Sequence, residues 1–320
     1  MRHPGTLDPA PASLSSVEQP TRGACFGYEI RSALAFEFLR EGSGDLLDIC
    51  LEDRPWRPDR TPLFEWMPRS DRPLHARIYR ENGTYRLWTD REGWFAVDPS
   101  IPSIAAPPVP DPIRLEERIL GIPMLLCFMH RGDLPLHAAA VEINGRAVVL
   151  AAPGHFGKTT FAGAFQAAGF RVLSEDITCC RLGPPATVLP GPSLLRVRDA
   201  SRESLRLSNT RCVAEEPGRT HLALEGAARG TGDAVPLAGI VFLRHGDGEG
   251  HLEPVAPDRA LPDLYVLSLK FPTDADRARC FKGTAALAAS VPLWNLHRAL
   301  RFDTMPRLID LIAETCLART

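Results

Sequence analysis

Eight consecutive residues carry the clearest chemical signal in this chain of 320 residues. They match the phosphate-binding pattern (Gly or Ala)-x-x-x-x-Gly-Lys-(Ser or Thr). In such loops backbone N–H groups surround the phosphates, the lysine reaches the β- and γ-phosphates, and the last hydroxyl binds Mg²⁺. The pattern therefore predicts a site for the phosphates of a nucleotide. The residues are Ala152, Pro153, Gly154, His155, Phe156, Gly157, Lys158 and Thr159, with Thr160 directly after them.

The segments on both sides of this loop are the ones that such a site needs. Residues 146–151 form an almost continuous apolar run, which is typical of a buried parallel strand. Residues 159–168 are rich in alanine and apolar on a helical period, and they end at Gly169. Lysine provides only 3 of the 37 basic residues, and one of the three is Lys158. Because arginine cannot replace a slim ammonium that lies along a phosphate chain, this placement supports the phosphate site.

Glu175 and Asp176 form the second candidate set, directly after a predicted strand at residues 170–173. In an open α/β sheet, the strand ends beside the glycine loop face the bound phosphates. One acid can then hold Mg²⁺, directly or through water, while the other takes a proton from an attacking hydroxyl. Two other interpretations stay open, namely a solvated acidic turn and a Mg²⁺ ligand in an NTPase that transfers no group.

His137 is a third candidate, at the start of a strand predicted over residues 136–143. The turn Asn144-Gly145 would pair that strand with the one that leads into the loop, so His137 could stand near the γ-phosphate. The alternative is a packed or capping histidine. Arg196 and Arg198 could clamp a phosphate or an acidic substrate, although the abundance of arginine favours a surface role for both.

The rest of the chain predicts further elements around this centre. Residues 25–98 suggest short strands, with a hairpin at Asn82-Gly83, and residues 99–112 carry six prolines and resemble a linker. A helical pattern starts at Pro112 and must kink or restart at Pro123. Residues 203–232 show no convincing core element and are interpreted as a mobile lid or substrate loop. Later segments predict strands at 237–243 and 293–296 and helices at 280–289 and 305–316.

Bulk properties exclude several classes of protein. The chain is 44% hydrophobic and 24% charged, as in ordinary soluble proteins, and its net charge of −2 excludes a general nucleic-acid binder. No apolar stretch is long enough to cross a bilayer, and residues 1–20 lack the apolar core of a signal peptide. The eight cysteines show neither a C-x-x-C pair nor zinc-site spacing. We therefore expect a cytoplasmic protein with reduced thiols and no nucleic-acid or membrane partner.

Four segments appear in a fixed order and at close spacing: residues 136–141, 144–150, 157–160 and 173–176. Together they resemble the HPr kinase/phosphorylase family, and in particular its HPr-kinase-like branch found in peptide-tailoring gene clusters such as those for lasso peptides. The resemblance covers residues 137–197 well and the rest more loosely. It includes an N-terminal opening that reads Phe26-Gly27-Tyr28-x-Ile30-x-Ser32.

The resemblance implies an α/β fold, with a P-loop kinase domain of the HPr kinase and phosphoenolpyruvate carboxykinase type after a smaller strand-rich N-terminal domain. It divides the chain into a disordered segment (1–22), the small domain with its linker (23–111) and the kinase domain (112–320). ATP and Mg²⁺ would be the cofactors, and a serine or threonine hydroxyl of a peptide or small protein the acceptor. Carried over by position, Lys158 would contact the phosphates. Thr159, Glu175 and Asp176 would bind Mg²⁺. Asp176 would also be the base, and His137 would be the family histidine.

The sequence also departs from the family pattern. Ala152 replaces the usual first glycine. Pro153, His155 and Phe156 are bulky for such a loop, and Glu175 stands where aspartate is typical. The glycine-rich signature that follows the catalytic acids is absent, which leaves reverse phosphorolysis and recognition of HPr itself open. Two alternatives therefore stay beside the peptide kinase: a nucleotide-binding sensor or scaffold without transfer, and a kinase for a small-molecule hydroxyl. The relatives' tendency to assemble makes a homo-oligomer a further expectation.

Overall fold

A computed structural model describes residues 21–53, 55–67 and 75–317. These residues form a mixed α/β structure with three sheets. Most of the predicted disordered segment, residues 1–20, lies outside the described residues, while Thr21 and Arg22 begin the first strand. Within the described ranges no helix combines the length and the apolar character that a membrane crossing requires.

The N-terminal half forms an eight-stranded sheet in the order β1-β2-β3-β8-β7-β6-β5-β4. The predicted hairpin at Asn82-Gly83 is confirmed, because both residues take the positive φ values, 49° and 90°, that a tight two-residue turn requires. The strands are β1 (Thr21–Cys25), β2 (Tyr28–Ser32), β3 (Asp45–Leu51), β4 (Phe64–Trp66), β5 (Ala76–Glu81), β6 (Thr84–Thr89), β7 (Gly93–Asp98) and β8 (Ser103–Ala106).

The proline-rich segment 99–112 is more than a linker, because it contains β8. This strand pairs with β3 and β7, and its Ile104 and Ala106 side chains are buried. The prolines flank the strand without interrupting it, since Pro102 precedes it and Pro107 follows it. The number of prolines in the whole segment predicts a linker, but four consecutive residues between them contain no proline and can form the hydrogen bonds of a strand.

The helical pattern that begins at Pro112 splits into two helices, α1 (Pro112–Ile119) and α2 (Ile122–Arg131). The restart predicted at Pro123 is confirmed, since this proline occupies the first turn of α2, where its missing N–H costs no hydrogen bond. Both helices pack against the N-terminal sheet in one hydrophobic cluster, in which the rings of Phe26 and Phe128 lie 5.0 Å apart.

The second sheet contains the predicted strands around the loop. Its β10 pairs antiparallel with β9 through the Asn144-Gly145 turn and parallel with β17, which in turn pairs parallel with β19. The strands are β9 (Leu134–Ile143), β10 (Arg146–Ala151), β11 (Arg171–Ser174), β12 (Ile177–Arg181), β13 (Thr187–Leu189), β17 (Val235–His245), β18 (His251–Pro254) and β19 (Leu293–Arg298).

Residues 203–232 do hold core structure, so the expectation that they lack it is wrong. They contribute two strands of a three-stranded sheet with the order β14-β16-β15, and Leu222 and Leu224 are buried in one hydrophobic cluster with Phe161 and Phe165. The short apolar run 222–224 is flanked by polar and charged residues, which dilute the signal over a longer window. The elements are β14 (Leu194–Arg198), α4 (Asp199–Ser204), β15 (Thr210–Glu216) and β16 (Arg219–Leu224).

Helices cover both faces of the second sheet, which explains why β10 is apolar from Ala147 to Ala151. Val148 and Leu150 join the cluster with α3 and α7, whereas Val149 and Ala151 join the cluster with α5 and α6. The predicted C-terminal helices and strand are confirmed, while α5 and β18 are additional. The helices are α3 (Lys158–Ala167), α5 (Pro257–Leu267), α6 (Asp274–Ser290) and α7 (Met305–Leu317).

A buried arginine joins the N-terminal sheet to the second sheet. Arg40 is 1% exposed, and it donates hydrogen bonds to the carbonyl oxygens of Gly191 and Val172 at 2.8 Å each and to that of Arg229. Burial lowers the pKa of Arg40 to about 9. The guanidinium thus satisfies carbonyl groups of three segments at once.

We expect Arg40→Ala to lower the free energy of unfolding by about 3 kcal/mol or more, because it leaves buried carbonyl groups without donors. Chemical denaturation measures this loss. The control is Arg22→Ala on the same sheet, whose side chain is 69% exposed. This control should change stability by no more than about 0.5 kcal/mol. Equal effects of the two variants would contradict the role of Arg40.

Candidate functional site

The predicted strand, loop and helix are present at residues 146–167. The loop leaves β10 at Ala151, and α3 begins at Lys158 after Gly157, which takes φ 84°. A side chain at Gly157 would be strained by this φ and would also meet Arg298 Nη2 at 3.2 Å. No side chain caps the N-terminus of α3. Its first N–H groups and the positive end of its dipole therefore face the loop without a side-chain cap.

The bulky loop residues anchor the loop to its surroundings. His155 takes φ 69°, and its Nδ1 lies 2.8 Å from Arg198 Nη2. The ring of Phe156 packs on His245 with centroids 4.3 Å apart, and its carbonyl accepts a hydrogen bond from the buried Arg298. Pro153, Gly154 and His155 are all exposed. His155 and Phe156 thus hold the loop through specific contacts.

Lys158 is buried and reaches back across the start of its own loop. Its Nζ donates to the carbonyl oxygens of Ala152 at 2.8 Å and Pro153 at 3.1 Å, and it lies 3.0 Å from His137 Nε2. Burial lowers the pKa of Lys158. All three of these acceptors are neutral, so a phosphate that enters the loop offers the ammonium a stronger partner.

His137 connects this lysine to Asp176. Because Lys158 donates to Nε2, the imidazole proton sits on Nδ1, which lies 3.3 Å from Asp176 Oδ1. Burial lowers the pKa of His137 below its ordinary value of 6.5, and the Lys158 ammonium acts in the same direction, against the Asp176 carboxylate. The histidine is thus a neutral bridge that fixes the orientation of Asp176.

The two acids lie between β11 and β12 and have different surroundings. Glu175 is sealed in, with 8% of its side chain exposed, whereas the Asp176 side chain is 42% exposed. Glu175 accepts a hydrogen bond from Thr159 Oγ1 at 3.0 Å and a second from Arg196 Nε. Arg196 Nη2 also donates to Asp176 Oδ2 at 3.2 Å. The carboxylate of Glu175 raises the pKa of Arg196.

The oxygen ligands at this point suit Mg²⁺. In the part of the chain that the structure describes, no group of three or more His, Cys, Asp and Glu side chains could hold a metal alone. Mg²⁺ needs no such group beside a nucleotide, because it usually keeps several waters and takes one or two protein oxygens plus the phosphates. The Thr159 hydroxyl and the Glu175 carboxylate, 3.0 Å apart, supply that pair, with Asp176 next to them. The residues therefore fit a magnesium ion.

Two cavities meet at the acids. The loop cavity, of about 550 Å³, lies over residues 154–160 and is bounded on its far side by Arg198, Arg219, Leu300 and Phe302. The apolar cavity, of about 610 Å³, lies between the N-terminal sheet and α2. Both volumes are in the usual range for ligand sites. The residues that line both cavities are Trp66, His137, Glu175, Asp176 and Arg196.

The structure brings the predicted site residues together and adds others. Thr160 Oγ1 lies 3.0 Å from Ser201 Oγ of α4, so this hydroxyl contact joins α3 to α4. The surface role favoured for Arg196 is wrong, because this residue binds both acids. Strand alternation over 194–198 puts Arg196 and Arg198 on one face, a signal that could have identified the pair. Trp66 carries no such sequence signal.

Comparisons with known proteins do not assign the chain to a family. No family model matches it, and no curated protein sequence matches it. Among solved structures, it is similar to the HPr(Ser) kinase/phosphatase of Coxiella burnetii. That match covers 57% of this chain and 97% of the other, with 7% identity and a TM-score of 0.33. The chemistry of the site must therefore be inferred from its own side chains.

Mg-ATP at about 100 times its dissociation constant should stabilise the native protein by about 2.7 kcal/mol, a rise in melting temperature that thermal-shift titration detects. We expect Lys158→Ala to abolish this rise. Lys282→Ala, which removes an exposed lysine, should retain it. A full rise in Lys158→Ala, measured against that variant's own ligand-free melting temperature, would contradict the loop assignment.

Arg196→Met should lower the free energy of unfolding by about 2 kcal/mol, because Glu175 then stays buried without its cation. Adding Glu175→Gln in that background should recover part of the loss. Chemical denaturation of the four proteins in this double-mutant cycle gives the coupling energy. If the effects of the two single changes on the free energy of unfolding simply add, the ion pair between Arg196 and Glu175 contributes nothing to stability.

Proposed function

We propose that this protein is an ATP- and Mg²⁺-dependent kinase that transfers the γ-phosphoryl group to a serine or threonine hydroxyl of a peptide or small protein. One observation carries the proposal: Asp176, held by His137 and Arg196, lies where the loop cavity meets the apolar cavity. A carboxylate at that junction stands between a place for phosphates and a separate place for an acceptor, which is the arrangement that direct transfer requires.

The loop cavity would bind the nucleotide. Lys158 would exchange the carbonyl oxygens of Ala152 and Pro153 for phosphate oxygens, and the N–H groups at the start of α3 would point at the same phosphates. These donors are fixed before the reaction, so they stabilise the negative charge that spreads over the γ-phosphoryl group during transfer. Thr159 and Glu175 would hold Mg²⁺, which would supply further positive charge beside the phosphates.

Asp176 would act as the base. Its side chain is exposed to the cavities, and each carboxylate oxygen keeps a lone pair beside its contact with His137 or Arg196. The acceptor oxygen forms a bond to the γ-phosphorus while the bond to the β–γ bridging oxygen breaks, ADP leaves, and the hydroxyl proton passes to Asp176. His137 is a positioning residue in this scheme, since it orients the carboxylate and does not contact the acceptor.

Asp176→Asn tests the base assignment directly. The amide keeps the shape of the side chain but cannot take the proton, so we expect transfer to fall by about 10²- to 10⁴-fold. Mg-ATP binding, followed by thermal shift, should persist. Asp247→Asn, at an exposed aspartate outside both cavities, is the control and should transfer like the native protein. Equal transfer by Asp176→Asn and the native protein would remove Asp176 from the base role.

A further inference from the structure

We propose that the apolar cavity holds an extended peptide segment in which apolar side chains flank the acceptor serine or threonine, and that this segment pairs with strand β4. The inference rests on the proposed kinase function and adds the chemistry of the acceptor. It would make the N-terminal sheet a recognition surface for the substrate.

The walls of the apolar cavity are unlike those of the loop cavity. Leu125, Leu126 and Met129 of α2 form one side, and Ile78 of the N-terminal sheet and Phe271 contribute to the rest. The polar groups of Asp176 and His137 are confined to the end that joins the loop cavity. A ligand that fills this space therefore presents an apolar body to the walls and its hydroxyl to the acids.

Charged side chains along the cavity are already paired within the protein. Glu117 contacts His221 Nδ1 at 2.6 Å, and Arg118 donates to Glu92 at 3.0 Å. Lys270 Nζ donates to the carbonyl oxygen of Ser268, a neutral acceptor, at 3.1 Å. Because Glu117 and Arg118 have charged partners, these two residues offer little to charged residues beside the acceptor hydroxyl, and burying such residues against the apolar walls would cost free energy.

Strand β4 provides the reason for choosing a peptide over a small molecule. Among the described strands it is an edge strand of the N-terminal sheet, and it pairs with β5 on one side. Phe64 and Trp66 line the cavity and are 37% and 43% exposed, whereas Glu65 between them binds Arg77 at 2.8 Å. An edge strand with apolar side chains turned to a cavity is suited to receive a further strand, whose backbone supplies affinity and whose alternate side chains supply specificity.

Trp66 sets the register of such a strand. It lines both cavities, and its ring is held edge-on by His75 at 4.8 Å, which lies 3.1 Å from Asp90. A peptide that passes Trp66 reaches the acids directly, so a hydroxyl-bearing residue next to the apolar positions is the one that meets Asp176.

The test uses synthetic heptapeptides with one central serine and flanking residues that are all apolar, all acidic, all basic or all small and polar. N-acetylserine amide and a medium-chain alkyl alcohol represent small acceptors. Incorporation of label from γ-labelled ATP is measured for each. We expect kcat/KM for the apolar set to exceed that for every other peptide set by about tenfold or more.

Phe64→Asp should remove most of this preference, because it places a charge on the cavity wall. The matched control is Leu51→Asp, which changes an exposed strand leucine outside both cavities and should keep the preference. Transfer without an apolar preference, or only to the small acceptors, overturns this inference and leaves phosphotransfer intact. Transfer to none of the acceptors, with Mg-ATP binding retained, overturns the proposed peptide kinase and this inference with it.

Discussion

The contact of Arg196 with two adjacent carboxylates is the interaction on which the rest of the site depends. Glu175 and Asp176 are neighbours in sequence, and without a shared cation their charges would repel each other at the strand end. Arg196 lies on a separate sheet and offsets that repulsion. Its contacts also give the two acids different surroundings. One is sealed beside Thr159, and the other faces the cavities. The three-stranded sheet therefore has a direct role in the site.

A second constraint is the neutral bridge between Lys158 and Asp176. If the Lys158 ammonium bound the Asp176 carboxylate directly, each group would already have a charged partner, and neither would be available to a substrate. His137 separates them, because its Nε2 accepts from Lys158 and its Nδ1 lies 3.3 Å from Asp176 Oδ1, so the lysine's contacts among the described residues are with neutral acceptors. Among the described residues this buried cation contacts neutral acceptors, and a bound phosphate would offset the cost of burying its charge. The site is thus arranged for an anion before one arrives.

The sequence predicted the parts of this arrangement that are local. Strand, loop and helix follow one another within about one supersecondary unit. His137 lies on β9, which pairs with β10, and the acids lie between two strands that pair with β9, so their spacing carries the signal. Trp66 reaches the site through long-range packing, which no short window contains. Strand alternation over 194–198 could have identified Arg196, but its contact with the two acids is also a long-range feature. Residues 203–232 were misjudged because their apolar runs, 212–214 and 222–224, are only three residues long, and the burial of β16 comes from its packing within the third sheet and its hydrophobic cluster.

In the proposed mechanism, phosphates bind in the loop cavity, an acceptor binds in the apolar cavity, and Asp176 lies between them. A crystal structure with Mg²⁺ and a non-hydrolysable ATP analogue tests this most directly. We predict that Lys158 Nζ leaves the carbonyl oxygens of Ala152 and Pro153 for the phosphates, that Thr159 and Glu175 bind the metal, and that the terminal phosphate faces Asp176. An analogue bound elsewhere, with Lys158 still on those carbonyl groups, would contradict it.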